Sequence, residues 1–258
     1  MSGIDLQVSA NDDDARELWN GTSFNSTHVA VWLWSSPVNS FSGGFRFQNV
    51  LVPQGATINV GTYWSVHITG LSYDSPRGLI AAEDVDSANN FTVEPDVITR
   101  WNTKRTSATV SWIGSNIGTG WKNSPDIATV IQEVIDRPGW VSGSDLVVLF
   151  AGDTTFWEKF EVSAHPGANP ELAAKLHIEY DNPFLPPSDL VCSVVSSVQM
   201  HLSWQDNSPD EVGFKIERAT SDTGPWDQID TVGADVEEYD DIGLDPNKTY
   251  CYRVRAYK

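Results

Sequence analysis

Two-residue alternation of apolar and polar side chains is the feature that most narrows the folds open to this chain. Phe45 and Phe47 alternate with Arg46 and Gln48, and Trp64, Val66 and Ile68 with Ser65 and His67. Leu176, Ile178 and Tyr180 alternate in the same way with Lys175, His177 and Glu179. Successive side chains of an extended strand point to opposite faces, so a period of two sets one face on a core and the other in water. The segments Thr27–Trp34, Ala108–Trp112 and Leu146–Ala151 are rich in β-branched or aromatic residues, with Gly, Pro, Asn and Ser between them. The pattern predicts an all-β chain built as a sandwich or barrel.

One segment changes period. Ile127, Val130, Ile131, Val134 and Ile135 recur at the three- and four-residue spacing of a helical stripe. Ser124 suits the N-cap, Pro125 the first helical position, and Pro138-Gly139 the stop, which predicts a single short helix over residues 125–136. Between Asp181 and Ser188, Pro183, Pro186 and Pro187 stiffen the chain and remove backbone donors, as a linker would. Residues 1–182 and 183–258 are therefore read as two domains.

Four strings of the first domain carry a resemblance: GFRFQNVLVPQGATI from Gly44, AAEDVDSANNF from Ala81, SPDIATVIQEVIDRPGW from Ser124 and KLHIEY from Lys175. In order and spacing they resemble the DNRLRE-type, carbohydrate-binding-like modules of bacterial and phage surface proteins. The resemblance implies a jelly-roll-like β-sandwich that adheres or scaffolds without a catalytic centre of its own. The second domain resembles fibronectin type III domains. The matching residues are Pro186–Leu190, Trp204, the run Gly213–Arg218, and Leu244–Tyr250 leading into Tyr252, Val254 and Ala256. That resemblance implies an Ig-like sandwich with Trp204 buried and Tyr250 bonding backbone near Leu244. Strands are expected near Leu190, Leu202, Phe214, Ile229, Tyr239 and Tyr250. A seventh is missing, so the chain is expected either to continue past Lys258 or to accept a strand from a neighbour. Cys192 should face inward and Cys251 outward, on opposite sheets, which argues against a disulfide.

Composition enters where function is concerned. Sixteen Lys and Arg against 35 Asp and Glu give a formal charge of −19, the wrong sign for gripping a phosphate backbone, so no nucleic-acid partner is expected. No apolar run approaches the roughly 18 residues of a membrane span, and the first residues lack the basic and apolar regions of a secretory leader. The five histidines lack metal-ligand spacing, and His67 and His177 fall on the polar phase of strands, where solvation is expected. No nucleophile–base motif occurs, so no catalytic residue is assigned. Asp12, Asp13 and Asp14, and Glu83, Asp84 and Asp86, form dense oxygen clusters that could ligate calcium, though acidic loops are also what so acidic a chain supplies anyway.

Nine of the eleven tryptophans lie in the first domain. Exposed indoles stack on sugars, whereas buried ones fill cores or subunit interfaces. Trp32 and Trp34 share a strand whose other phase is also apolar, which marks them as interface candidates. The expectation is a non-enzymatic virion structural protein, a capsid decoration, fibre or tail component on the virion exterior. It would pair with other virion proteins, form a homo-oligomer and contact host-surface glycans. The alternative is a secreted carbohydrate-binding or adhesive region of a bacterial cell-surface protein.

Overall fold

The computed structural model describes residues 2–10, 12–18, 24–25, 30–35, 41–72, 77–92, 96–114, 118–152, 158–163, 170–209 and 211–258. Trp19 and Trp157 lie outside the described residues. The chain divides into two compact units, Met1–Asp181 and Asn182–Lys258. No helix among the described residues is long and apolar enough to cross a membrane.

In the first unit the strands are β1 (Ser2–Gln7), β2 (Asp14–Leu18), β3 (Phe24–Asn25), β4 (Ala30–Ser35), β5 (Phe41–Val50), β6 (Thr57–Ile58) and β7 (Tyr63–Ser72). After them come β8 (Arg77–Ala82), helix α1 (Val97–Thr103), β9 (Val110–Ile113), β10 (Gly120–Asn123) and helix α2 (Ala128–Ile135). The unit closes with β11 (Ser144–Gly152), β12 (Glu158–Ser163) and β13 (Lys175–Asp181). Hydrogen bonds run along one path, β1-β13-β7-β12-β4-β5-β11-β8-β9. The path curls over itself into a jelly-roll-like sandwich. Trp64 of β7, fully buried, reaches Phe45 of β5 at 4.8 Å, Phe150 of β11 at 6.2 Å and Trp112 of β9 at 5.5 Å between ring centroids. The alternation predicted from Trp64–Ile68 and Leu176–Tyr180 is what places these rings inside.

The helical stripe is buried as expected, with Ile127, Val130, Ile131, Val134 and Ile135 all at most 1% exposed. Its start is not where the caps predicted. Ser124 Oγ instead accepts from the Trp64 amide and donates to the Pro125 carbonyl. Asp126 takes the capping work, accepting from the Ala128 amide at 3.0 Å and the Gly61 amide at 2.6 Å. Gln132 then clips the helix to the sheet, accepting from Ile58 N and donating to Ala56 O.

A second helix, α1, corrects the expectation of one. It covers the outer face of the β5–β11–β8 layer, where Val97 and Trp101 join Phe91, Val147 and Leu149 in a smaller core. The apolar run of β11 is thus covered on both faces. Gly44 belongs to the same packing, since a Cβ there would stand 2.4 Å from the Phe91 ring. The backbone of Trp32 and Trp34 lies in β4, between β12 and β5 in the sheet, and their side chains lie outside the described residues.

The second unit is fibronectin type III-like, with all six expected strands: β14 (Ser188–Ser196), β15 (Gln199–Gln205), β16 (Gly213–Ala219), β17 (Asp227–Gly233), β18 (Glu238–Ile242) and β19 (Cys251–Tyr257). They form two sheets, β14-β15-β18 and β17-β16-β19. Leu202, Trp204, Phe214 and Ile216 make the core. Tyr250 Oη accepts from the Asp245 amide at 3.0 Å, the tyrosine corner expected near Leu244. β19 pairs with β16 alone. Cys192 faces the same side as its cross-strand partner Leu202, yet it is exposed, and Val194 beside it is 75% exposed. Both cysteines are free. The proline-rich stretch is tied to the loop after β15. Ser208 Oγ accepts from Leu185 N and donates to Leu185 O, and Asn207 donates to Pro186 O.

Candidate functional site: a polar, aromatic strand face

Arginines neutralise Asp13, Glu83, Asp84 and Asp86 in the structure. Arg46 donates to Asp13 and Asp145 at 2.5 Å each and to the Ala88 carbonyl, while Gln48 takes the other oxygen of Asp13. Asp12 accepts from the Asn90 side chain. Arg137 donates to Asp84 at 2.6 Å and Asp86 at 2.7 Å. Glu83, 4% exposed, pairs with Arg100, and burial outweighs that partner and holds its carboxyl above the usual range. Asp14 is buried beside Ala15 in β2. Glu17, also buried, accepts from the amides of Asp96 and Ile98 and so anchors the start of α1. A calcium ion at Asp13, Glu83, Asp84 or Asp86 would have to displace a guanidinium already in place. These acids hold loops and α1 against the sheet.

A different constellation lies on the polar phase of β7 and its neighbours. Ser65 of β7 pairs with both Lys175 of β13 and Asn123 of β10. Those two strands therefore flank β7 on opposite sides. Asp5 of β1 pairs with His177 of β13, and His177 with Tyr63 of β7. Side chains opposite one another in antiparallel strands share a face, so Asp5, Tyr63, Ser65, His67, Trp121, Lys175, His177 and Glu179 stand on one surface.

Two contact groups form on it. His177 stacks on Tyr63, centroids 4.9 Å apart, with its nitrogens at 2.9 Å from Asp5 Oδ1 and Glu179 Oε1. Trp121, 37% exposed, receives the edge of His67 at 5.5 Å and the Lys175 ammonium at 4.3 Å. His67 Nδ1 lies 3.3 Å from Ser163 Oγ. Neither histidine is the plain solvated strand residue its phase suggested. The clue was in the sequence only as the alternation Tyr63-x-Ser65-x-His67 and Lys175-x-His177-x-Glu179; the register that joins the two runs was not.

Burial lowers the His177 pKa, but the hydrogen bonds and charges of Asp5 and Glu179 outweigh it, so the imidazole titrates above the ordinary histidine range. A raised folded-state value stabilises the unit fully below the unfolded pKa, and that contribution is lost as pH rises through the folded value. Imidazole resonances followed by NMR should show His177 titrating late, and Asp5→Asn should bring it down. An imidazole that titrates at or below the unfolded-chain value would contradict the arrangement.

No protein-family profile matches the chain, and no curated protein matches it. Among solved structures it is similar to the FN1-FN3 domains of chicken CNTN1, with a TM-score of 0.27 and 13% identity over 100% of this chain and 89% of that one. It is similar also to a beta-1,2-glucanase from Parabacteroides distasonis, with a TM-score of 0.26 and 14% identity over 97% of this chain and 35% of that one.

Proposed function

We propose that the chain is a non-enzymatic surface-binding protein whose first unit docks glycans on the β13–β7–β10 face. The observation that carries this reading is Trp121, a partly exposed indole set mid-strand among hydrogen-bonding side chains. A sugar offers apolar C–H faces and a ring of hydroxyls. An aromatic ring takes the first, and imidazole, ammonium and carboxylate groups take the second. Tyr63, His67, Lys175, His177 and Glu179 supply both kinds of group within one strand face. The resemblance of the Gly44–Tyr180 strings to DNRLRE-type modules supports an adhesive role over a catalytic one. The buried arginine–carboxylate sets around Arg46 and Arg100 are fully engaged in holding the fold.

The setting that fits this role is a virion exterior, because a surface of formal charge −19 suits an outward-facing part better than one lying on packaged nucleic acid. Assembly with other virion proteins or further copies is assigned to the apolar strand of Trp32 and Trp34.

The labelled full chain on a glycan array tests the binding reading. Saturable retention of a subset of glycans is expected, with Trp121→Ala weakening it by about tenfold or more, equivalent to about 1.4 kcal/mol. Retention equal in wild type and Trp121→Ala would place the ligand elsewhere. Turnover of a retained glycan would overturn the non-enzymatic assignment.

A further inference from the structure

We propose that the second unit carries a calcium site formed by Asp206, Glu211 and Asp235. Asp206 follows β15, Glu211 precedes β16, and Asp235 sits in the turn between β17 and β18. The β15–β16 loop, which carries Asp206 and Glu211, thus meets the β17–β18 turn, and one carboxylate oxygen from each of the three residues lies within 4.8 Å of the other two. Carboxylates gathered so closely repel one another unless a cation stands among them. Elsewhere in this protein arginine plays that part, as at Asp13, Glu83, Asp84, Glu217 and Asp241. Among the described residues no lysine or arginine pairs with Asp206, Glu211 or Asp235.

Glu211 is the second, independent observation. It is only 6% exposed, and its two oxygens are used unequally. Oε1 accepts from the Asp235 amide at 3.0 Å, whereas Oε2 is buried with no hydrogen-bond partner among the described residues. A buried carboxylate oxygen without a donor is costly. With Oε1 taken by the Asp235 amide, Oε2 is the Glu211 oxygen left for a cation in an acid group that, among the described residues, has no lysine or arginine beside it. Asp206 and Ser208 are held by bonds of their own. Asp206 Oδ1 accepts from Ser208 N, and Asp206 N donates to Glu237 Oε1. Ser208 in turn holds Leu185. The ligands are therefore placed before any ion arrives.

An all-oxygen set on loops suits calcium, which takes six to eight oxygen ligands in loose geometry. Magnesium demands a tight octahedron and keeps its water. The sequence signal was the run Asp206-Asn207-Ser208-Pro209-Asp210-Glu211 between two strands, but Asp235 joins it only through the fold.

Titration calorimetry on the EDTA-treated full chain, with calcium chloride or magnesium chloride in 0.15 M KCl, tests the proposal. One saturable calcium site is expected, weakened at least about tenfold by Glu211→Gln and by Asp235→Asn. Asp84→Asn, an acid paired with Arg137 in the other unit, should leave it unchanged. No saturable calcium binding up to millimolar concentration would overturn the proposal, as would equal affinity in wild type and both variants. Magnesium bound more tightly than calcium would overturn the assignment of the ion. Should Glu211→Gln fail to fold by circular dichroism, Asp235→Asn, altered at an exposed turn, decides alone.

Discussion

Arg100→Ala is expected to destabilise the first unit by about 3–5 kcal/mol, the cost of stranding a buried charge. The Arg100 side chain is 7% exposed and Glu83 4%. Its guanidinium spends its donors on Glu83 and Asp96, each at 2.7 Å, and on the carbonyls of Asn89 and Asn90, while its plane lies 4.4 Å over the Phe91 ring. Removal leaves Glu83 without its main partner and frees the loop that carries Phe91 against Gly44 and β11. Arg100→Lys should recover only part of the loss, because an ammonium cannot serve four acceptors in one plane. Urea unfolding, read on the first unit's transition, measures both variants. A loss under about 1 kcal/mol for Arg100→Ala would mean that the pair is solvated and worth no more than a surface ion pair.

Trp64→Ala is expected to cost a similar amount, about 3–5 kcal/mol, for a different reason. Trp64 is fully buried between β5, β9 and β11, and alanine would leave a cavity lined by Phe45, Trp112 and Phe150. Its indole Nε1 has no hydrogen-bond partner among the described residues. Trp64→Phe should therefore be milder than the lost volume suggests, since it also removes an unsatisfied donor. Calorimetry of the full chain distinguishes the two substitutions. Equal losses for alanine and phenylalanine would show that the polar edge of the ring, not its bulk, is what the site needs.

Trp64 and Arg100 differ in how far their places can be read from the sequence. Trp64 is legible because strand burial follows a period of two, and the same logic places Phe45, Phe47, Leu176 and Ile178 inside. The six strands of the second unit and the Tyr250 corner are legible because turn and core residues recur at fixed offsets. Arg100 is not. Its helix, α1, is seven residues long, too short for a periodic signal, and Glu17 holds its start from 81 positions away. The acidic clusters read as candidate ligand sets because the residues that neutralise them, Arg46 and Arg137, lie 33 and 53 positions from Asp13 and Asp84. The candidate site fails for a related reason. Asp5, Tyr63 and His177 meet through two strand registers, with Asp5 and His177 172 positions apart. A polar phase looks the same in sequence whether its side chains are solvated singly or assembled into a surface.

Glycan binding at this surface is checked by amide chemical-shift mapping of the full chain, titrated with the glycan best retained on the array. The largest shifts should fall on β7, β10 and β13, centred on His67, Trp121 and Lys175, and Trp121→Ala should abolish them. Shifts confined to α2 or to the second unit, or no shift with any glycan at millimolar concentration, would contradict it.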